Sequence, residues 1–396
     1  MRHDHAREGH MDDIDLDGFT HSHVPLMYDR DGLHCFWVPR ALAASRWGRE
    51  RHDAFYVHFQ LWVHYAHRWD RYDVADRWRG ADSATGWDSG LGAEVDAVQD
   101  RIFRAHLGLR LDTFSSGGED VVETLAGLLR EDRVPLLPMD MGELPSCRAY
   151  YDGHHSGHVI VVTGYRERRE MFTVLDGLHL ESLTNARLFH VDSTGGPAPL
   201  DPWETPLRFA VPFEPTVTLR QVVGDLCTTA YVPSAHLARA HAAWADHGVP
   251  YLVGQVLTVS AGPTPTTATA VVRDAATELG DVADAVLAGE EPVRAKAEFL
   301  AGVAPESAWR QFGYVDSQRI LGAATRLVLY RAGASPSDAA ACQLAAGAAA
   351  DRWRALVERA LADGGTLDDV LAPAYADALA AERAWATTVR RALRRG

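Results

Sequence analysis

The sequence predicts an α+β protein in which a region built on an antiparallel sheet is followed by a mainly α-helical region. Two observations carry that expectation. Between His158 and Asp176, two apolar runs rich in Val, Ile and Thr are separated by the charged residues Arg166 to Glu170, the pattern of a β-hairpin. Beyond about residue 215 the composition changes to long, alanine-rich amphipathic segments, the pattern of packed helices. Both hairpin strands are apolar on both faces. Val159, Val161 and Leu175 fall on one, and Ile160, Val162, Phe172 and Val174 on the other, so the hairpin is expected to be central and buried.

His158 opens the first of these strands and Asp176 closes the second. In an antiparallel pair the start of one strand lies beside the end of the other, so an imidazole and a carboxylate far apart in sequence are brought together. Direct opposition on one face requires an odd number of loop residues. A two- or four-residue loop without a bulge puts the two side chains on opposite faces. The pair can orient a general base, or it can be a buried histidine whose ring nitrogens are merely satisfied.

A chain of 396 residues is long enough for two ordinary domains. The expected division is a flexible tail at 1–18, a first domain at 19–215 that carries the hairpin and a helical domain at 216–396. The formal net charge of −15 is spread along the chain, with no basic stripe of the kind that binds nucleic acid. The apolar runs are too short to cross a bilayer, and the polar start, Met1 to Asp17, has no apolar core of a secretory signal. The four cysteines, Cys35, Cys147, Cys227 and Cys342, are widely spaced, which suits a reducing cytoplasm. Lys296 is the one lysine, so a Schiff-base mechanism would rest on it alone and is set aside.

Taken in order, a loop from Phe19 leads to Cys35, where a helix is expected to begin, with Pro39 suited only to its first turn. A thiol at a loop-to-helix junction meets the positive end of the helix dipole, which favours the thiolate. Phe55 to Trp78 reads as an aromatic-faced helix bearing His58, His64 and His67. It has no HExxH, and His64 and His67 are its only close pair, so no metal and no cofactor is assigned. A helix follows from about Ala93 to Leu107, then a capping box at Ser116 to Glu119 opening a helix through Arg130, and a strand from Val134 to Met139 with Asp140 at its end. Leu178 to Pro215 is irregular and proline-rich. The helices expected beyond it are Leu219–Tyr231, Ala235–Asp246, Ala268–Leu287, Pro292–Val303, Glu306–Arg331, Pro336–Gly364 and Leu367–Arg394, interrupted by a strand-like patch at Tyr251–Ala261.

No GxxxxGK[ST], GxGxxG after a strand, or GxSxG is present, so nucleotide-driven activation, dinucleotide chemistry and serine hydrolysis have no footing. What remains is Cys35 at a helix start, with His158 and Asp176 on a hairpin. Together they supply a nucleophile, a base and an orienting group. Cys147, in a loop after Pro145, is the rival thiol, and His34, His154 and His155 are loop histidines that are ordinarily just solvated.

Leu33-His34-Cys35, Val134 to Pro145, His155 to Tyr165, Val174-Leu175-Asp176 and Leu183 to Arg187 together resemble the BtrH N-terminal domain family, named after butirosin biosynthesis. The resemblance spans residues 19–215, and the helical remainder is similar to the partner domain that commonly follows. It implies a papain-like architecture and an acyltransferase. An acyl group held as a thioester on an acyl carrier protein would pass through Cys35 to a small-molecule amine, with His158 as base and then acid and Asp176 as orienting group. A thioester is already activated, which fits the missing nucleotide motif. The departure is the oxyanion donor: papain-like enzymes carry a glutamine shortly before the cysteine, and here the first glutamine is Gln60. The same three residues would equally serve a thioesterase or peptidase with water as acceptor. A non-catalytic protein that binds carrier-tethered chains is the third reading.

Overall fold

The computed structural model describes residues 13–19, 38–65, 91–115, 121–140, 143, 157–176, 228–246, 253–260, 266–303 and 308–396. Strands β1 (Ile14–Asp15), β2 (Leu109–Ser115), β3 (Val134–Asp140), β4 (Gly157–Arg166), β5 (Met171–Asp176), β6 (Thr228–Pro233) and β7 (Val253–Val259) form one sheet in the order β2-β7-β3-β4-β5-β6, with β1 added on β4. All of these pairings are antiparallel. The helices are α1 (Val38–Ser45), α2 (Arg49–Tyr65), α3 (Leu91–Ile102), α4 (Val121–Arg130), α5 (Ser234–Asp246), α6 (Ala268–Ala288), α7 (Glu291–Ala301), α8 (Ala308–Arg331), α9 (Pro336–Asp363) and α10 (Ala372–Arg395). The α+β expectation therefore holds, with the strands spread between Ile14 and Val259 and only helices among the described elements after them.

The two faces of the hairpin divide as its alternation predicts. Val159, Val161 and Leu175, with Leu136 and Leu257, join a core that continues through Ala41 and Leu42 of α1 into α2 and the C-terminal helices. Ile160, Val162, Phe172 and Val174 join a second core with Val121, Leu125 and Leu129 of α4 and Leu237 and Ala240 of α5. Covered on both sides, such strands cannot keep a polar face, which is why each reads as a continuous apolar run.

Helix α2 differs from its expected form. It starts at Arg49, and its residues from His52 to Tyr65 are all buried. Helices α1, α6, α7 and α8 pack around it, so it has no solvated side, and the sequence around Phe55 shows aromatics on every face.

Three expectations are corrected. The stretch Leu219–Tyr231 is not a helix where it is described: Thr228–Pro233 is the edge strand β6, paired with β5 from Met171↔Pro233 to Asp176↔Thr228. Its residues, Thr-Thr-Ala-Tyr-Val-Pro, are β-branched and aromatic, and the proline suits an edge. The boundary at 215/216 cuts the sheet, because β6 and β7 lie beyond it, and β7 sits between β2 and β3. Finally, the tail drawn over residues 1–18 includes residues anchored to the sheet. Ile14 and Asp15 pair with Tyr165 and Gly164, and the Leu16 N–H donates to the Thr163 carbonyl at 2.7 Å. Gly164 is required there, since a Cβ would stand 2.6 Å from the Ile14 carbonyl oxygen.

Candidate functional site

The β4–β5 hairpin matches neither of the two arrangements its sequence allows. Its connection is four residues, Glu167 to Glu170, but a bulge between Val162 and Gly164 adds one residue to β4. Before the bulge the register runs Val162↔Val174 and Val161↔Leu175, so one step further sets position 176 across from position 160. Position 158, which pairs with Met139 on its other side, is two residues past that point. Positions 158 and 176 thus have the same parity, in the set that runs through Ile160, Val162, Phe172 and Val174, and they are diagonal neighbours, not directly opposed. Diagonal positions stand about 7–8 Å apart at the backbone, within reach of long side chains.

Both positions lie at one end of the sheet. Asp140, fully buried, closes β3 at that end and pairs with Gly157. Helix α1 begins at Val38, with Pro39 in its first turn, and packs on β3, β4 and β7. Cys35, three residues ahead of it, lies outside the described residues, as do His34, His67, Cys147, Cys227, His154, His155 and the segment from Leu178 to Pro215. Cys342 is the cysteine that is described. It is buried in α9, and burial pushes its thiol up to about 12, so it is an inert core residue.

A second group of titratable side chains sits where α2, the turn after α3 and α6 meet. Helix α3 runs into a π-helical turn, Phe103–Leu107, closed by Gly108 in the left-handed conformation. This turn presents His106 against His58 of α2, with the two rings stacked 4.0 Å apart. His58 Nδ1 lies 2.6 Å from Glu278 Oε2, and His58 Nε2 lies 3.6 Å from Asp274 Oδ2. The same Asp274 oxygen contacts His106 Nδ1. Burial lowers the pKa of His58 against the pull of Glu278, so its ring is held towards the neutral form. Sequence reasoning placed His58 on α2 but paired it with nothing, since its neighbours come from distant segments.

His64, one of the three histidines read on this helix, stands apart. Its Nε2 is 2.9 Å from Ser317 Oγ, which donates its own hydrogen to the Tyr314 carbonyl, so His64 must be the donor. Burial first, then the nearby Lys296 charge, hold its pKa well below the ordinary value. A histidine kept neutral in the fold contributes stability that is present above the unfolded pKa of about 6.5 and is lost as pH falls towards the folded value. Urea denaturation midpoints of the parent are therefore expected to fall between pH 7.5 and 5.5. His64→Gln, which can still donate to Ser317, should flatten that decline. An unchanged slope in the variant would refute this role.

An antiparallel sheet flanked by helices defines the molecule as an α+β protein. Residues 94–177 match the family model described as "Butirosin biosynthesis protein H, N-terminal", which bears out the resemblance over that stretch. The matched segment contains most of α3, all of α4 and strands β2 to β5, and with them positions 158 and 176, but not Cys35. No curated protein matches the chain. Among the described residues no helix is long and apolar enough to cross a membrane.

Proposed function

We propose that this chain is a cysteine-dependent acyltransferase of natural-product biosynthesis, related in role to the butirosin protein whose family it matches. The Cys35 thiolate attacks the carbonyl of an acyl-carrier thioester. The carrier's pantetheine thiol leaves, protonated by the His158 imidazolium, and an acyl-enzyme remains. An amine then attacks that carbonyl, His158 takes the amine proton, and the Cys35 sulfur departs as the amide forms. Asp176 holds the imidazole in the productive tautomer. The observation that carries this reading is the family match over the two strands on which His158 and Asp176 stand as neighbours of equal parity at one sheet end.

The geometry adds a requirement. The residues that share the parity of positions 158 and 176, Ile160, Val162, Phe172 and Val174, pack under α4 and α5, whereas α1 packs on the opposite core. The proposal therefore requires the Cys35 sulfur to pass round the end of β4, and the two residues between it and Val38, Phe36 and Trp37, give about 10 Å of extended chain for it. Papain-like architecture remains part of the proposal on the strength of the resemblance.

The test is incubation with an acyl-carrier thioester, with and without a panel of amines, followed by intact-mass measurement. A covalent acyl adduct and amide that forms only when amine is present are expected. Free acid regardless of amine would make the protein a hydrolase. No adduct and no product, with carrier binding retained, would make it a binding protein.

A further inference from the structure

We propose that His58, His106 and Asp274 bind a divalent transition-metal ion of the zinc class, with Glu278 holding the His58 ring in place. Read along α2 alone the sequence holds no ligand set, whereas the fold gathers the donors from three segments.

Each donor is positioned by its own element. Asp274 and Glu278 are one helical turn apart on α6 and so share a face of that helix. His106 is delivered by the π-helical turn, whose extra residue re-aims the side chains that follow it. His58 comes from the middle of the fully enclosed α2. Side chains from α2, the π turn and α6 thereby converge on one point, and donor atoms of His58, His106 and Glu278 all lie within 4.8 Å of one another.

The protonation pattern is that of a metal-binding histidine. Glu278 accepts from His58 Nδ1, which fixes the tautomer that leaves Nε2 with its lone pair. That Nε2 is buried and has no hydrogen-bond partner among the described residues. It faces Asp274 Oδ2 at 3.6 Å, too long for a hydrogen bond. Metal–donor distances of about 2.0–2.2 Å in a tetrahedron set two donors roughly 3.4 Å apart, which is close to that separation. His106 Nδ1 is hydrogen-bonded to the same oxygen, so an ion must displace that proton and part the two groups, after which two nitrogens and one oxygen are its donors. Magnesium and calcium favour all-oxygen sites, whereas imidazole with carboxylate suits zinc and its neighbours. The Asp274 side chain is 36% exposed, which gives the ion a route from solvent and room for a water as fourth ligand.

The full-length chain, treated with a chelator and exchanged into metal-free buffer, is titrated with Co²⁺ and then Zn²⁺. One equivalent of Co²⁺ is expected to give the visible d–d absorption of a low-coordinate site, to be displaced by Zn²⁺, and to raise the thermal midpoint. A variant with His3, His5 and His10 replaced by alanine separates this from binding by the N-terminal histidines and should retain the signal. Glu278→Gln is expected to weaken binding by about 10–100-fold, and Asp274→Asn and His106→Gln by more. Should His106→Gln fail to fold, Asp274→Asn, at a partly exposed position, carries the test. The proposal is overturned if the folded parent takes up neither ion, if Asp274→Asn binds with the parent's affinity, or if the signal vanishes with the three N-terminal histidines alone.

Discussion

Cys35→Ala is expected to lower amide formation from a carrier thioester by about 10⁴-fold or more and to remove the acyl adduct from the mass spectrum. The size follows from the role proposed for the sulfur. Without it no covalent intermediate forms, and what remains is the acceleration that comes from binding the two substrates side by side. His158→Gln should fall to a similar level, because an unassisted thiol near neutral pH is mostly protonated. Asp176→Asn should retain the adduct but form it slowly, since an amide can hold the imidazole in the wrong tautomer. Cys342 supplies an internal reference. Its thiol is buried and its pKa pushed up to about 12, so iodoacetamide should alkylate Cys35 far faster than Cys342. Equal labelling of the two, or a Cys35→Ala protein that works at the parent's rate, would remove the nucleophile from the mechanism.

How much of this was legible in the sequence differs between sheet and site. The hairpin could be read to the level of single faces because alternation is a local property, and Val159 and Ile160 do go to different cores. Strand β2, Leu-Arg-Leu-Asp-Thr-Phe-Ser, carries an equally plain alternation, with Leu109 and Leu111 buried and Arg110 half-exposed, but it is squeezed between the helix expected to end at Leu107 and the capping box at Ser116, and the sequence reading has no element there. Strand β6 was absorbed into the alanine-rich pattern that follows it. Its place on the sheet edge depends on β5, more than fifty residues earlier, and no window of sequence shows that pairing. The bulge at Thr163, which sets the parity of His158 and Asp176, adjoins Gly164, where β1 pairs with β4. A reading that treated the start of the chain as a tail could not anticipate it. The His58 cluster was beyond reach for the same reason, since 168 and 220 positions separate its hydrogen-bonded partners.

Glu382→Ala is expected to destabilise the fold by about 3–5 kcal/mol, the cost of stranding a buried charge. Glu382 lies on α10 and is fully buried, and its two oxygens accept from four side chains. Lys296 Nζ of α7, Gln318 Nε2 of α8 and Trp353 Nε1 of α9 reach Oε1 at 2.6, 3.0 and 2.6 Å, and the Tyr65 hydroxyl of α2 reaches Oε2 at 2.8 Å. Burial alone would raise the Glu382 pKa, but the Lys296 charge and these hydrogen bonds hold it below the ordinary value. Burial likewise lowers Lys296 against the pull of Glu382. The lysine set aside as a Schiff-base candidate is thus the countercharge of a five-helix junction, with the rings of Trp353, Tyr65 and Tyr314 around its ammonium. The pair itself need not add much net stability, because both charges give up water to form it. The double variant Lys296→Met with Glu382→Gln should therefore recover most of the loss. It removes both charges, keeps an amide oxygen for Trp353, and offers an amide N–H to the Tyr65 hydroxyl, which can accept. Urea denaturation of the parent, Glu382→Ala and the double variant decides the matter. A double variant as unstable as Glu382→Ala would mean that side-chain packing, and not the stranded ammonium, sets the cost.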